Sequence, residues 1–289
     1  MSQNTTGKVF IVGAGPGAKD LITLKGLRAL RQADVILYDA LVNPELLDEA
    51  PAEAEKIFVG KRCGRHAMEQ REINREIVAQ ALRGKCVVRL KGGDPLLFGR
   101  GGEEALACED SGIGFEIIPG VSSALGAAAY AGIPLTHRGV AGSVAFVTAS
   151  LMETSTSRAD FNDPAATKLK DLAKTVDTLV ILMGGRKLRA VAEGLVDAGL
   201  SPLTSVAVIS QASMETQRTV LGTLENISER VEQKQLASPT LIIVGAVTQF
   251  SAALSWFEKK LTAETQRSPG SAEEEHVGQH TTQAQNRSR

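Results

Sequence analysis

Short apolar runs alternate with segments of helical spacing along the first half of the chain. Four runs, each typical of a buried strand, occupy residues 9–12, 35–38, 87–90 and 115–118. Four segments with helical character occupy residues 23–32, 72–82, 102–108 and 122–130, and Thr23 is the predicted N-cap of the first. Strand and helix in this alternation predict a mainly parallel sheet that is covered on both faces.

The pattern restarts after residue 139. Five further strands are predicted at residues 144–148, 179–183, 206–209, 219–221 and 241–244. Three further helices are predicted at residues 187–198, 226–234 and 250–261. We therefore predict an α/β fold of two α/β domains with mainly parallel or mixed sheets, an N-terminal one over 1–138 and a C-terminal one over 139–262.

Two polar segments fall outside this pattern. Residues 263–289 are nearly free of large apolar side chains, so they bury too little surface to offset the entropy of ordering, and we predict a disordered tail. Residues 153–167 are also polar and are predicted to form a loop.

Composition argues against several classes of function. A net charge of -1 and an aromatic content of 4% do not favour nucleic-acid binding. No apolar run approaches the roughly 18 residues of a membrane span, and residues 1–7 lack a signal core, so we expect a cytoplasmic protein without membrane contact. The three cysteines, Cys63, Cys86 and Cys108, form no C-x-x-C pair, and we expect no metal site.

The glycine-rich segment after the first strand allows two interpretations. Residues 13–18 read G-A-G-P-G-A, and Asp39 ends the next strand, which satisfies the spacing of a dinucleotide-binding motif. Pro16 argues against that reading because it lacks the N–H that a pyrophosphate would need. The alternative is a purely structural tight turn.

A second glycine loop, K-G-G-D-P at 91–95, follows the third predicted strand. Paired glycines allow a ligand to approach the backbone closely, and ligands of such sheets lie beyond the carboxyl ends of the strands. The alternative is a strand-to-helix turn that Asp94 caps.

Six segments in order carry a resemblance to a known family. They read V-G-A-G-P-G at 12–17, V-I-L-Y-D at 35–39, V-G-K-R-C-G at 59–64, V-V-R-L-K-G-G-D-P-L-L-F-G-R-G at 87–101, I-P-G-V-S-S-A at 118–124 and Y-A-G-I-P-L-T-H-R at 130–138. Weaker matches at 179–184 and 238–245 extend it to about residue 260. The chain resembles the uroporphyrinogen-III C-methyltransferase branch of the tetrapyrrole methylases.

This resemblance implies two α/β domains with the active site in the cleft between them, and a homodimer. It implies that S-adenosyl-L-methionine donates two methyl groups in succession to uroporphyrinogen III, a tetrapyrrole, giving precorrin-1 and then precorrin-2. The donor would leave as S-adenosyl-L-homocysteine. The end product that this pathway serves, such as sirohaem or cobalamin, stays open.

The resemblance also implies roles for individual residues. Asp39 and Lys61 occupy the catalytic base and acid positions. The implied contacts to the methyl donor are Pro16, Gly92, Gly93, Asp94, Leu97, Ser122, Ser123, Met183 and Ala212. The chain departs from the usual pattern at Ser122-Ser123, where Thr-Ala is common, and at Gln211-Ala212, where a glycine is more usual.

Candidate substrate contacts come from the chemistry of the tetrapyrrole, which is rich in carboxylates. Arginine suits carboxylates best because its planar fork donates two parallel hydrogen bonds. We predict that Arg100 and Arg138 bind substrate and that Glu103 orients Arg100. The alternative for each arginine is a solvated surface charge.

Three other functions remain as alternatives at this point. The first is methylation of a later precorrin or of another substrate of the same family. The second is nicotinamide-dependent oxidation and reduction, which the spacing at 13–18 permits. The third is a tetrapyrrole carrier without turnover.

Overall fold

A computed structural model describes residues 6–60, 68–149 and 171–266 of the chain. Lys61 and the predicted loop at 153–167 lie outside the described residues, as does the predicted tail beyond Gln266.

The first sheet contains five strands, β1 (Val9–Gly13), β2 (Val35–Tyr38), β3 (Glu55–Phe58), β4 (Val87–Lys91) and β5 (Phe115–Ile118). They are all parallel and lie in the order β3-β2-β4-β1-β5. The prediction of a parallel sheet in the first half of the chain is therefore confirmed.

Both faces of this sheet are covered, because successive side chains of each strand point to opposite sides. Ile11 of β1 packs in one core cluster with Ile77, and Val12 packs in another with Leu30. The helices of this half are α1 (Leu24–Leu30), α2 (Gln70–Leu82), α3 (Gly101–Asp110) and α4 (Ser123–Tyr130).

Local signals predict the start of α1 but not strand β3. The N–H of Gly26 donates to Oγ1 of Thr23 at 3.0 Å, so the predicted N-cap is confirmed. Strand β3 reads E-K-I-F and lies at the edge of the sheet, beside β2. Its first two side chains are exposed, so it lacks the apolar run that marks the inner strands.

The second sheet is mixed. Its strands are β6 (Val144–Thr148), β7 (Thr178–Leu182), β8 (Ser205–Ser210), β9 (Arg218–Thr223) and β10 (Thr240–Val244). The order is β6-β7-β10-β8-β9, with β6 and β7 parallel and the other neighbours antiparallel. Its helices include α5 (Leu188–Asp197) and α6 (Ile227–Lys234).

The predicted helix at 250–261 is interrupted. A 3-10 turn (Ala246–Phe250) leads into α7 (Ser251–Leu254), and α8 (Trp256–Gln266) follows. Both helices are tied to the end of α4: Ser251 Oγ donates to the carbonyl of Ala131 at 2.6 Å, and Trp256 Nε1 donates to that of Ala129 at 3.0 Å. These contacts dock the end of the described chain on α4.

Helix α4 joins the two sheets. Its small side chains Ala124 and Ala127 pack in one core cluster with Val180 of β7, Ile209 of β8 and Ile243 of β10. Because α4 begins just after β5, this packing places the carboxyl ends of the first sheet beside the second sheet. Among the described residues, no helix has the length and apolar character needed to cross a membrane.

Candidate active site

The loops that follow β1, β4 and β5 meet at the carboxyl edge of the first sheet. A side chain on Gly13 would place its Cβ 2.5 Å from the nitrogen of Gly120, which no real contact permits. Gly15 and Gly93 exchange backbone hydrogen bonds, with N···O distances of 3.3 and 2.7 Å. Glycine is therefore required here because three backbones approach one another closely.

These contacts argue against the dinucleotide reading of residues 13–18. The N–H of Ala14 donates to Lys91 O at 2.7 Å, and that of Gly15 donates to Gly93 O. The N–H of Ala18 donates to Oγ of Ser213 at 2.9 Å. Since Pro16 has no N–H, most of the donors that a pyrophosphate would need are absent or already paired.

Asp94 fastens these loops together. One carboxylate oxygen accepts hydrogen bonds from the N–H groups of Leu96 and Leu97, at 2.9 and 3.2 Å. The other accepts from the N–H of Gly120 at 3.1 Å. Asp94 thus fixes the loop after β4 against the loop after β5.

A cleft of about 770 Å³ opens beside these loops, between the two sheets. The first sheet contributes Asp39 and Arg100 to its lining, and the second sheet contributes Arg186 and Lys187. Six of the predicted donor contacts also line it: Pro16, Gly92, Leu97, Ser123, Met183 and Ala212. Residues as distant in sequence as 16 and 212 therefore meet at one cavity.

Three predicted donor contacts lie outside the described lining. Gly93 and Asp94 belong to the joined loops just described. Ser122 is the buried N-cap of α4, and its Oγ accepts the N–H of Ala124 at 3.2 Å. In the geometry present, these three residues support the wall of the cleft.

Arg100 and Glu103 form the predicted pair. The arginine donates from Nε and Nη2 to the two carboxylate oxygens, at 2.7 Å each. This hydrogen bond raises the pKa of the Arg100 guanidinium and holds the pKa of the Glu103 carboxyl below its ordinary value. Arg100 lines the cleft, whereas Glu103 stands outside its described lining.

Strained backbone surrounds the cleft. Phe98, Arg100 and Met183 line it and all have left-handed φ angles, of 56°, 58° and 58°. Such angles cost free energy in residues with side chains and are concentrated at functional sites. Their presence here supports the cleft as the active site.

A buried charge network forms part of the wall of the cleft, and the sequence patterns do not predict it. We define it as Arg89, Lys91, Glu104, Asp39 and Gln70. One oxygen of Glu104 accepts from Arg89 Nε at 2.9 Å, from Lys91 Nζ at 2.9 Å and from Gln70 Nε2 at 3.2 Å. Burial, followed by the charge of Arg89, lowers the pKa of Lys91.

The network reaches the predicted base. Nη2 of Arg89 lies 3.5 Å from one carboxylate oxygen of Asp39, and the N–H of Leu41 donates to the other at 3.0 Å. Arg89 itself is held by the carbonyls of Leu37 and Leu90, at 3.3 and 2.8 Å. The Asp39 carboxylate is therefore held in a fixed place at the edge of the cleft.

The remaining predicted substrate contact, Arg138, is not brought into the cleft. Arg138 is exposed in the turn that His137 and Ala141 close, and it is absent from the described lining. Lys61 lies outside the described residues. Within the described parts of the chain, no group of three or more His, Cys, Asp or Glu side chains is arranged to hold a metal ion.

The departure at residues 211–212 has a structural counterpart. Gln211 and Ser213 have left-handed φ angles of 49° and 64°, and the carbonyl of Ala212 lies where a side chain on Gly17 would have to go. Ser213 accepts the N–H of Ala18 through Oγ, and its own N–H donates to Gln217 Oε1 at 2.7 Å. This loop thus fastens the second sheet to the first glycine loop.

Comparison with known proteins agrees with this geometry. The family model described as Tetrapyrrole (Corrin/Porphyrin) Methylases matches residues 8–228. The chain is 50% identical over 245 residues to the uroporphyrinogen-III C-methyltransferase of Priestia megaterium, covering 85% of this chain and 100% of the relative. It is 47% identical over 255 residues to the protein of that name from Bacillus subtilis (strain 168), covering 88% and 96%.

Solved structures point the same way. The uroporphyrin-III C-methyltransferase of Thermus thermophilus, crystallised with S-adenyl homocysteine, superposes with a TM-score of 0.69 at 39% identity. The match covers 84% of this chain and 99% of that one. Relatives named siroheme synthase also match, and the chain spans about half of their length.

Proposed function

Since the chain belongs to the tetrapyrrole (corrin/porphyrin) methylases, we propose that it transfers methyl groups from S-adenosylmethionine to carbon atoms of uroporphyrinogen III. The observation that carries this proposal is the likeness to two proteins of that activity over at least 96% of their length. The cleft supports it, because six of the implied donor contacts converge there.

The residues of the cleft suit the methyl donor. Pro16, Leu97 and Met183 offer apolar surface, and Leu41, which packs on the backbone of Gly92, adds to it. A volume of about 770 Å³ lies within the range of small-molecule sites, roughly 300–1,000 Å³. When bound, S-adenosylmethionine supplies an electrophilic methyl group on a sulfonium.

The protein then has to orient the acceptor, exclude water and remove a proton. The acceptor is an electron-rich pyrrole carbon, so alignment accounts for most of the required assistance. Arg100, whose Nε and Nη2 donate to Glu103, would bind a substrate carboxylate through Nη1. Asp39, held by Arg89 and by the Leu41 N–H, would accept the proton that leaves the macrocycle.

Further features of the proposal come from the sequence and from the resemblance. Two successive transfers would give precorrin-1 and then precorrin-2, Lys61 would act as the acid, and Arg138 would contact substrate. The active protein would be a homodimer in the cytoplasm. Sedimentation of the purified protein tests the dimer.

Turnover tests the proposal directly. The protein is incubated with uroporphyrinogen III and S-adenosylmethionine without oxygen, and the products are analysed by mass spectrometry. We expect species carrying one and then two added methyl groups. Calorimetry with S-adenosylhomocysteine should show binding, and NAD should show none. Binding of NAD without methyl transfer would favour the oxidoreductase instead.

A further inference from the structure

A tight turn from the second sheet directs basic side chains into the cleft. It follows β7 and reads Met183-Gly184-Gly185-Arg186-Lys187. Met183 is left-handed, and a side chain on Gly184 would bring its Cβ 2.6 Å from Cδ1 of Ile242. A side chain on Gly185 would collide with Oγ1 of Thr240. The turn is therefore pressed against β10, and its geometry is fixed by contacts.

Arg186 of this turn has no ion-pair or hydrogen-bond partner among the described residues. It lines the cleft and is exposed. No carboxylate of the described residues lies within 4 Å of its guanidinium, and it makes no hydrogen bond to them. A fixed turn that holds an unpaired guanidinium in a cleft is suited to bind an anion.

The other arginines of the cleft are already engaged. Both carboxylate oxygens of Glu103 bind Arg100, and Glu104 binds the buried Arg89. Arg186 therefore differs from them in having its whole fork available to a ligand. It also comes from the second sheet, whereas Arg89 and Arg100 come from the first.

We propose that Arg186 binds a carboxylate of the acceptor macrocycle and so helps to orient the ring from the second-sheet side of the cleft. This inference rests on the proposed function, because it takes a polycarboxylate tetrapyrrole as the acceptor. The methyl donor also carries a carboxylate, so the test has to separate the two ligands.

The test compares Arg186→Ala and Arg186→Lys with a matched control, Arg189→Ala. Arg189 lies on α5 close to the turn, is exposed, and pairs with Glu232 at 3.0 Å outside the described lining of the cleft. Initial rates are measured without oxygen at varied uroporphyrinogen III and saturating S-adenosylmethionine. Calorimetry gives the Kd for S-adenosylhomocysteine, and thermal melting checks folding.

We expect Arg186→Ala to raise the KM for uroporphyrinogen III about tenfold, the effect of losing a charged hydrogen bond. Arg186→Lys should lie between it and wild type, because lysine keeps the charge but not the fork. The Kd for S-adenosylhomocysteine and the melting temperature should match those of wild type. Arg189→Ala should match wild type in every measurement.

An unchanged KM in Arg186→Ala would overturn the inference, and so would a parallel loss of S-adenosylhomocysteine affinity, which would assign Arg186 to the donor. If wild type shows no turnover, the proposed function fails separately. In that case fluorescence titration with uroporphyrin III, the stable oxidised macrocycle, tests the inference without turnover. Weaker binding by Arg186→Ala than by wild type supports the inference, and equal binding rejects it.

Discussion

Glu104 is the residue on which the buried charge network depends. Its side chain is fully buried, and one oxygen contacts both Arg89 and Lys91 at 2.9 Å. Replacing Glu104 with Gln removes the negative charge and leaves two buried cations without it. Breaking a buried ion pair in this way costs about 3–5 kcal/mol, and we expect that loss in the free energy of unfolding measured with urea.

Two further variants make this measurement specific. Glu232→Gln removes the partner of an exposed pair with Arg189, where a change below about 1 kcal/mol is expected. The double variant Lys91→Met/Glu104→Gln removes one of the two cations that Glu104→Gln leaves without their carboxylate. The double variant should therefore recover part of the lost stability. An effect of Glu104→Gln as small as that of Glu232→Gln would show that the network does not stabilise the fold.

This network also shows what residue patterns fail to reveal. Arg89 stands inside an otherwise apolar run, and Lys91 follows at a spacing of two, which places both on the same face of β4. That spacing is a usable signal for a buried charge. The partner Glu104 comes from α3, and the tertiary packing that brings α3 over this face is not encoded in any local pattern.

At the scale of elements, the close approach of three loops makes the edge of the first sheet intolerant of added volume. A Cβ on Gly120 would lie 2.7 Å from Cα of Gly13. Overpacking of this kind costs about 1–3 kcal/mol. We expect Gly120→Ala to lower the free energy of unfolding, measured in urea, by that amount. The added methyl group would push apart loops that line the cleft, so S-adenosylhomocysteine binding measured by calorimetry should also weaken.

Gly114→Ala is the matched control for this substitution. Gly114 lies just before β5, and Gly120 lies just after it. A Cβ added to Gly114 would meet no atom within 4 Å, and the φ angle of Gly114 is not left-handed. We expect a change within about 0.5 kcal/mol and unaltered binding, as for surface substitutions in general. Equal behaviour of the two alanine variants would contradict the role given to the loop contacts.

Element prediction succeeds where burial leaves a pattern and fails where it does not. The inner strands β1 and β4 are apolar runs and are predicted. Edge strand β3 begins with two exposed charged residues, and the sequence pattern does not predict it. Strand direction is also hidden: β10 is as apolar as β1, yet it lies antiparallel to both neighbours.

At the scale of the whole molecule, the site depends on how the two sheets are joined. Pro16 and Met183 reach one cleft because α4 packs on the second sheet and because Pro16 rests against Gly126 of that helix. The ordered motifs of the sequence predict which residues share the site through resemblance to a family. They do not predict Arg186, whose importance becomes visible once the cleft is assembled.

The C-terminal helices provide the last test of this assembly. Trp256 and Phe257 pack on Tyr130 of α4, with ring centroids 5.0 and 4.8 Å apart, and Ser251 and Trp256 donate hydrogen bonds to the end of α4. A chain ending at residue 250 loses all of these contacts. Full burial of an aromatic side chain contributes about 1.5–3 kcal/mol, which applies to the buried Phe257, whereas Trp256 is half exposed and contributes about half as much. The two hydrogen bonds add roughly 0.5–1.5 kcal/mol each, so we expect a total loss of at least about 3 kcal/mol.

For a chain of this size, 1 kcal/mol corresponds to roughly 2–4 °C, so the melting temperature of the chain ending at 250 should fall by about 10 °C. A chain ending at Gln266 keeps every described contact and is the control. Because residues 267–289 are polar and offer little surface for a core, it should melt within about 2 °C of the full chain and methylate at the same rate. A larger drop for this control would show that the predicted tail docks on the folded domains, and equal melting of both truncations would show that α7 and α8 do not hold α4 in place.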